Sequence, residues 1–351
     1  MEVVIKESRL RRFSEDVLQK GGLSPEDAFT VTDSLLFASL RGIDSHGISR
    51  LPYYIRRLEK GGTNARPQIK IIRERAASAL IDGDDGMGQV VSAFALKVAI
   101  EKARRQGAAF VGVLKSCHNG AVSYYSLKIA EAGMIGISIS NVTPVMAAWG
   151  GRGSVIGNNP LSIAAPRKHG YPLVLDIAMS GVAGGKVRLA AKNQQKIPLG
   201  WIVDAAGRPT DDPQQLTSGG ALVPFGEHKG FALGVMLEVL AGALTGSGML
   251  GQIPFWMANM ESSLNIGHAF FAVDIVALMD LEEFYRRVDW IVDSLKGSPV
   301  GEDSPGIFMP GEMEWEMEQK RRIDGIPVSP EVYRDLEELS SRYHVPLNSS
   351  S

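Results

Sequence analysis

The chain is poor in cysteine and in paired metal ligands. Cys117 is the only cysteine in 351 residues, which excludes an intrachain disulfide and makes a reducing compartment the expected location. The six histidines are scattered, and no two of them are four residues apart, the spacing that places two imidazoles on one helix face. We therefore predict no metal site.

An excess of positive charge and a long apolar run are also missing. The 37 basic and 39 acidic residues give a net charge of −2, which argues against a general nucleic-acid surface. The longest apolar stretch, residues 230–250, is interrupted by Glu238 and rich in glycine, so it predicts a buried helix and not a membrane span. Residues 1–7 are acidic and lack the apolar run of a signal peptide. We predict a cytoplasmic protein with no nucleic-acid or membrane partner.

Three fingerprints of nucleotide binding or hydrolysis are absent from the sequence. The glycines of residues 151–157 have the wrong spacing for a Rossmann GxGxxG turn and lie between predicted loops. There is no Walker A loop, and there is no Gly-x-Ser-x-Gly turn to carry a nucleophilic serine. These absences argue against a Rossmann domain, a phosphate-binding loop and a serine hydrolase.

The patterns that are present predict alternating helices and strands. Segments with helical periodicity, marked by signals such as Ser24-Pro25 at a start and Gly107 at an end, alternate with short apolar runs. The predicted helical segments are 3–60, 89–106, 121–132, a glycine-rich segment ending near 191, 229–246, and the chain from 281. The predicted strands are 69–82, 108–114, 134–140, 161–165, 173–177 and 265–274. This order is typical of the α/β or mixed α+β class.

The most informative segment has a histidine, an arginine and a tyrosine at four-residue intervals. Residues four apart share one helix face, so His46, Arg50 and Tyr54 would combine a group that titrates near neutral pH, a carboxylate-binding fork and a phenol. These groups suit the reduction of a small 2-oxo acid. Pro52 is comfortable only in a first turn, so the helix is expected to begin near Ser49 with the histidine on the entering loop. A histidine taken alone is more often structural or solvent-exposed.

Three further polar residues lie at the ends of predicted elements. His118 follows a strand, where loop residues line pockets, but a plain turn is equally compatible with its position. Asp176 ends an apolar strand and could orient an imidazole or bind a ribose hydroxyl, or it could cap the next helix. Lys229 opens the helix predicted over 229–246, where N–H groups favour a phosphate; an ordinary cap is the alternative.

A series of short motifs extends in order over nearly the whole chain. They are Asp44-Ser-His-Gly47 with Arg50 and Tyr54, Ser116-x-His118 with Tyr124-Tyr125, Gly157-x-Asn159-Pro160-Leu161, Asp176-x-Ala178, Gly185-Lys186-Val187, Ile197-Pro198 with Gly200-Trp201, Lys229-Gly230, Asn265-x-Gly267 and Pro310-Gly311-Glu312. Each is weak alone, but in this order they resemble the malate/L-lactate dehydrogenase family, whose members lack a Rossmann fold.

The resemblance implies both an activity and an architecture. It implies an NAD(P)-dependent oxidoreductase that transfers a hydride between the nicotinamide and a small 2-oxo or 2-hydroxy acid. It implies a homodimer with its sites near the subunit interface. It further implies a non-Rossmann cofactor-binding domain, assigned to residues 121–280, and a helical substrate and dimerisation domain, assigned to 1–120 together with 281–351.

The resemblance also implies roles for individual residues. His46 matches the proton donor, and Ser45 and Asp176 match positions with a relay role. The residues assigned to the substrate are Arg50, Tyr54 and His118. The residues assigned to the cofactor are His118, Asn119, Gly120, Asp176, Ile177, Ala178, Ser180, His228, Lys229, Gly311 and Glu312.

Departures from the family pattern leave the ligands open. This chain has Asn119, Asn158 and Met179 where family members usually have phenylalanine, threonine and threonine. These positions border the substrate and the cofactor, so the choice between NAD and NADP stays open, with Arg152 and Arg188 as candidates for binding a 2′-phosphate. Reduction of a cyclic imine carboxylate is the alternative reaction. A non-catalytic nucleotide-binding scaffold is the alternative class.

Overall fold

The computed structural model describes residues 3–347, in which helices surround a central sheet. The strands and helices, in chain order, are β1 (Val3–Ile5), α1 (Glu7–Lys20), α2 (Pro25–Leu40), α3 (Leu51–Glu59), β2 (Lys70–Glu74), β3 (Ser78–Gly86), α4 (Gly88–Gln106), β4 (Ala108–Ser116), α5 (Ser123–Glu131), β5 (Met134–Ser140), β6 (Leu161–Ala165), β7 (Leu173–Ile177), α6 (Gly184–Lys192), β8 (Ile202–Val203), β9 (Pro209–Thr210), β10 (Ala221–Leu222), α7 (His228–Glu238), β11 (Ile266–Asp274), α8 (Leu281–Lys296), α9 (Glu312–Asp324), β12 (Ile326–Val328) and α10 (Pro330–Tyr343). Short 3-10 turns at Asp44–His46 and Ile48–Arg50 precede α3.

The central sheet is mixed. Its strand order is β2-β3-β4-β11-β5-β6-β7. Within the described chain, β3 and β4 are its one parallel pair, joined through α4, and the remaining neighbours are antiparallel. A Rossmann domain requires a doubly wound parallel sheet. The predicted mixed α+β class and the absence of a Rossmann fold are therefore confirmed.

Local signals placed several elements correctly. The Ser24 hydroxyl accepts a hydrogen bond from the amide of Asp27 at 3.1 Å and so caps α2, whose first residue is Pro25. Gly107 takes the left-handed conformation that ends α4. The predicted strands 134–140, 161–165 and 173–177 coincide with β5, β6 and β7. In these segments, local chemistry agrees with the tertiary fold.

Two parts of the strand assignment are wrong. The single strand predicted over 69–82 is two strands, because the chain reverses where the amide of Arg75 donates to the carbonyl of Ser78. The segment predicted as helical over 3–60 begins with β1, which pairs with β12. That pairing joins residues more than 300 positions apart, Val3 opposite Val328, so a local pattern could not reveal it.

The sheet has a hydrophobic layer on each face. Alternate residues of β11 point to opposite sides: Phe270 packs against α4 and α5, and Ala269 packs toward α7. A separate cluster, rich in leucine, is formed by α1, α2, α3 and α10. No helix among residues 3–347 combines the length and apolar character needed to cross a membrane.

The helix predicted as buried over 229–246 is buried on one face only. It is present as α7, followed by a π turn at Val239–Ala243. Leu237 is buried, but Met236 is 54% and Val239 is 42% exposed. The reason is that α7 packs on one side of the sheet, and no further layer formed by residues 3–347 covers its outer face. An apolar face therefore remains open to solvent.

The boundary assigned at residue 120 lies between strands of the same sheet. The strands β2, β3 and β4 precede it, while β5, β6, β7 and β11 follow it. The helical cluster nevertheless unites the two chain ends, since α1 packs with α10. The division into a helical and a cofactor-binding domain stays a prediction.

Candidate active site

One edge of the sheet opens into a large cavity. The carboxyl ends of β4, β5 and β7 and the start of β6 meet at this edge because β4, β5 and β7 run in the same direction. The cavity has a volume of about 890 Å³, within the usual range for ligand sites. The turns before α3 and a loop at Phe255–Met257 form its other walls.

The structure brings most of the predicted site residues to this cavity. Those in its wall are Ser45, His46, Arg50, His118, Asn119, Gly120, Asp176, Ile177, Ala178 and Ser180. They come from three separate parts of the chain, joined only by the packing of α3 and the strand ends. Arg188 also lines the cavity, whereas Arg152 does not.

His46 is held by its neighbour in sequence. Its Nδ1 is hydrogen-bonded to the Ser45 hydroxyl at 2.9 Å, which leaves Nε2 for a ligand. The ring is partly open to the cavity yet removed from bulk water, and this desolvation, with the charge of Arg50, lowers the pKa of His46 to about 4. The imidazole is therefore neutral at pH 7, the form that accepts a proton.

Arg50 is the N-terminal boundary residue of α3, as expected from Pro52 in the first turn. The helix begins at Leu51, two residues after the predicted start. The guanidinium donates to the carbonyl of Ser45 and lies 3.1 Å from the Met257 sulfur. Among residues 3–347 it forms no ion pair with a carboxylate, although desolvation lowers its pKa. A partly buried cation without an acidic partner is suited to an anionic ligand.

His118 is fixed between a phenol and an indole. Its Nδ1 is 2.8 Å from the hydroxyl of Tyr54, and its ring stacks on Trp256 with centroids 4.4 Å apart and planes inclined by 10°. Burial, followed by the charges of His46 and Arg50, holds the pKa of His118 well below its usual range. Tyr54 itself is 2% exposed, so it acts on the cavity through His118.

Asp176 lies on the opposite wall, at the end of β7. The carboxylate of Asp176 is open to the cavity, but the protein atoms around it desolvate it and raise its pKa to about 6, against the lowering effect of Ser123 nearby. Within the described chain no hydrogen bond joins Asp176 to His46. The predicted pairing of Ser45 with His46 is therefore present, while a relay role for Asp176 stays a prediction.

Four of the residues assigned to the cofactor lie elsewhere. His228 and Lys229 are exposed at the first turn of α7 and do not line the cavity. Gly311, at φ 85°, packs against Val174. Glu312 pairs with Lys296 and accepts a hydrogen bond from the amide of Met309, so it closes the turn before α9. These four residues therefore lie outside the cavity wall, and their assignment to the cofactor stays a prediction.

Sequence reasoning missed residues that build the cavity wall. Trp256 and Met257 flank Arg50, with the Arg50 Cζ 5.6 Å from the centre of the Trp256 ring. Glu314 lines the cavity two residues after Glu312. The run Phe255-Trp256-Met257, three large apolar residues in a predicted loop, is the signal that could have identified this wall.

The cavity fits a dinucleotide. Its glycine-rich wall at Gly181, Gly184 and Gly185 leaves room for a ligand, since a Cβ at Gly185 would meet no atom within 4 Å. The helix α6 begins there without a side-chain cap, so its first N–H groups can bind a phosphate. Among residues 3–347, no ion pair or hydrogen bond engages the side chains of Lys186 and Arg188. These cations suit the negative charge of such a group.

A neutral imidazole beside an unpaired guanidinium, in a dinucleotide-sized cavity of a mixed sheet, is the arrangement expected of a dehydrogenase of small carboxylic acids. Comparison with known proteins agrees. The family model described as malate/L-lactate dehydrogenase matches residues 5–337. Malate dehydrogenase of Pyrococcus abyssi is 40% identical over 354 residues, covering 98% of this chain and 96% of the relative.

Solved structures extend the likeness to the fold. L-sulfolactate dehydrogenase of Methanocaldococcus jannaschii is 38% identical over 340 residues, covering 96% of both chains. The crystal structure of that enzyme superposes with a TM-score of 0.92 over 98% of each chain. Δ1-piperideine-2-carboxylate reductase of Pseudomonas syringae pv. tomato gives a TM-score of 0.86 at 30% identity, over 96% of this chain and 99% of that one.

The chain belongs to the malate/L-lactate dehydrogenase family, and it is an oxidoreductase. At the level of the family, the predictions of a 2-hydroxy-acid dehydrogenase and of NAD or NADP as its cofactor are confirmed. The finer assignments, to individual residues and to one substrate, stay predictions.

Proposed function

We propose that the protein interconverts a 2-hydroxy acid and its 2-oxo acid, and that its preferred substrate carries a second anionic group. The observation that carries the proposal is the Arg50 guanidinium, which has no acidic partner among residues 3–347 and lies beside the neutral imidazole of His46. One group binds the carboxylate, and the other exchanges a proton with the adjacent oxygen.

His46 performs the proton transfer. When the hydroxy acid is oxidised, Nε2 accepts the hydroxyl proton, and in the reverse direction it returns a proton to the carbonyl oxygen. The Ser45 hydroxyl at Nδ1 fixes the ring and stabilises the imidazolium once it forms. The nicotinamide, when bound, takes or supplies the hydride at the neighbouring carbon. The atoms balance as hydroxy acid plus oxidised cofactor giving oxo acid, reduced cofactor and a proton.

Arg50 orients the substrate for this transfer. Its planar fork can bind both carboxylate oxygens, and the Trp256 ring next to it shields the pair from water. Holding the reacting carbon and oxygen in one position supplies much of the rate. His118, stacked on the same indole, forms the adjoining wall.

A second cation is available for a second anionic group. Arg188 extends from α6 into the same cavity, and its guanidinium packs over Gly184, 3.4 Å from where a Cβ would stand. Its positive charge reaches Arg50, whose pKa it lowers. An anion at the far end of the substrate would relieve this repulsion. The two curated relatives compared above act on malate and sulfolactate, whose second groups are a carboxylate and a sulfonate.

The proposal is tested by oxidation of NADH and, separately, NADPH with a panel of acids. Oxaloacetate and sulfopyruvate have the second anion, pyruvate lacks it, and piperideine-2-carboxylate presents an imine. We expect the dianions to give the highest kcat/KM. Arg188→Gln should lower this value about tenfold for the dianions and leave pyruvate unchanged, since a charged hydrogen bond contributes about 1.5–3 kcal/mol. Arg152→Gln, outside the cavity wall, is the matched control.

Each other outcome of this assay has a definite meaning. Equal losses for pyruvate and the dianions, with weaker NADPH binding, would assign Arg188 to the cofactor. Turnover of the imine alone would identify the alternative reaction, which the likeness to the piperideine-2-carboxylate reductase favours. No turnover of any acid, with nucleotide binding intact, would contradict the proposed substrate class.

The protein is further proposed to work as a cytoplasmic homodimer. The exposed apolar face formed by α7 and the π turn after it, with Met236 and Val239, is what a second copy would cover. Light scattering should give twice the mass of the 37.9 kDa chain. Met236→Asp should shift the population toward the monomer, while Met313→Asp, at an exposed methionine of α9, is the control. A monomer in the wild-type protein would contradict this assignment.

A further inference from the structure

Arg57 is a buried arginine in the helix that carries the substrate site. It lies on α3, seven residues after Arg50, and is 2% exposed. Among the described residues it forms no ion pair with a carboxylate. Burying a guanidinium costs free energy unless its N–H donors are hydrogen-bonded, so the acceptors around Arg57 explain why it can be buried.

The partners of Arg57 are oxygens of two loops. The guanidinium donates to the carbonyl of Gly62 and, through Nε, to the Thr63 hydroxyl at 3.2 Å. Its other bonds reach a loop about 200 residues later in the chain: the carbonyl oxygens of Trp256 at 3.4 Å, Asn259 at 2.5 Å and Ser262 at 2.7 Å. We call residues 254–262 the tryptophan loop.

The fit of Arg57 between these loops is close. A Cβ at Gly62 would lie 2.9 Å from the guanidinium and 2.8 Å from the Met260 carbonyl carbon, so only glycine allows this approach. Carbonyl oxygens in several directions suit the planar fork of arginine, whereas a lysine ammonium reaches fewer of them.

The tryptophan loop carries the wall of the substrate site. Trp256 stacks on His118 at 4.4 Å and lies under Arg50, and the sulfur of Met257 contacts the same guanidinium. The loop has no helix or strand of its own, and Arg57 donates to carbonyls along its length. The position of the indole therefore depends on α3 through Arg57.

We propose that Arg57 is a positioning residue for the reaction: it ties the tryptophan loop to α3, so that Trp256 and Met257 hold Arg50 and His118 in the geometry that binds the substrate. This role rests on the proposed function of Arg50 and His118. Arg57 reaches the substrate through these side chains and touches no reacting atom.

The test compares Arg57→Lys with Arg56→Gln, the adjacent and exposed arginine on the same helix. We expect Arg57→Lys to raise KM for the 2-oxo acid roughly tenfold to a hundredfold, because a small misplacement of the reacting groups has effects of this size. The dissociation constant of the nucleotide should change little. Arg56→Gln should behave as the wild type.

A second variant addresses the loop directly. Trp256→Leu keeps an apolar side chain but removes the flat ring under Arg50 and His118. It should raise KM similarly, and the double variant should be no worse than the more impaired single variant, because both act through the same wall. Multiplying effects, or an unchanged KM in folded Arg57→Lys, would overturn the proposal. If Arg57→Lys does not fold, Trp256→Leu decides alone: an unchanged KM overturns the proposal.

A readout without turnover separates this proposal from the proposed function. Chymotrypsin cleaves after aromatic residues, and Phe255 is 39% exposed. Arg57→Lys should accelerate cleavage within the tryptophan loop several-fold relative to Arg56→Gln, at equal thermal stability. If cleavage is accelerated but the protein reduces no acid, the proposal that Arg57 holds the tryptophan loop on α3 is supported and only the proposed function is refuted. Unchanged cleavage would overturn the proposal that Arg57 holds the tryptophan loop on α3.

Discussion

The two walls of the cavity are organised differently. On the helical wall, at Ser45–Tyr54 with His118, polar side chains have partners within the chain: His46 with Ser45, and His118 with Tyr54 and Trp256. On the sheet wall, at Asp176–Arg188, the side chains of Lys186 and Arg188 have none among the described residues. The contrast agrees with the proposed roles, in which the first wall is preformed for proton transfer and the second obtains its partners from ligands.

Desolvation by the surrounding protein atoms shifts the pKa values of two ionisable groups that face the cavity in opposite directions. On the helical wall, desolvation lowers the pKa of His46 to about 4, which keeps it neutral. On the sheet wall, desolvation raises the pKa of Asp176 to about 6, which leaves it mostly charged at pH 7 but easily protonated. The same physical cause therefore keeps His46 unprotonated at neutral pH and makes Asp176 sensitive to mild acid.

Removing the imidazole of His46 should have the largest effect. His46→Gln is expected to lower kcat about a hundredfold or more, because it removes the proton-transferring group. Nucleotide binding, assigned to the opposite wall, should stay near normal, as fluorescence titration with NADH would show. The exposed His169 supplies the control His169→Gln. Wild-type turnover in His46→Gln would remove His46 from the mechanism.

Removing the charge of Arg50 should affect substrate binding most. Arg50→Gln is expected to raise KM for the oxo acid roughly tenfold to a hundredfold, the loss of a charged hydrogen bond of about 1.5–3 kcal/mol. Steady-state kinetics with Arg66→Gln, an exposed arginine outside the cavity, would serve as the comparison. Equal KM values in the two variants would mean that another group binds the carboxylate.

Removing the phenol behind His118 should have a smaller effect. Tyr54→Phe deletes the hydrogen bond to Nδ1 and is expected to lower kcat/KM about fivefold, in line with about 1 kcal/mol for a neutral hydrogen bond. Tyr53→Phe, on the same helix, keeps the ring near Arg50 and is the matched control. An effect as large as that of His46→Gln would give His118 a direct role in the chemistry.

The pH dependence of kcat/KM should show a modest effect that tells His46 on the helical wall from Asp176 on the sheet wall. Hydroxy-acid oxidation requires neutral His46, and with a pKa near 4 this group stays neutral at pH 6.5, where an ordinary histidine is half protonated. We therefore expect kcat/KM for oxidation to show no acid limb at pH 6.5. A limb near pH 6 that disappears in Asp176→Asn would belong to the sheet wall. A limb at pH 6.5 in both proteins would contradict the environment described for His46.

The sequence predicted best those features that are made by neighbours along the chain. Ser24 caps α2, Gly107 ends α4, and the Ser45 hydroxyl reaches the His46 ring one residue away. Short apolar runs placed β5, β6 and β7, since each of them is a strand of the central sheet. The order of the family motifs along the chain predicted a non-Rossmann fold, and the mixed seven-stranded sheet agrees with that prediction.

Other features depend on packing between distant segments. Trp256 stacks on His118 although 138 positions separate them in the sequence. An arginine on a helix is usually expected on the face exposed to water. Arg57 is instead among the largest fully buried side chains. The assignment of Lys229 to the cofactor, made from a helix start and from the family resemblance, stays a prediction, since the side chain is exposed outside the cavity wall.

The sequence by itself determined the family and the class of reaction, because those depend on side-chain chemistry and short spacings. It also supplied the residues proposed to exchange a proton and to bind a carboxylate, and those roles stay predictions. The tertiary structure decided what state those residues are in. Desolvation in the folded chain lowers the pKa values of His46 and Arg50, and among residues 3–347 no carboxylate pairs with Arg50. Desolvation depends on every segment that surrounds a group, and so it is a property of the folded chain.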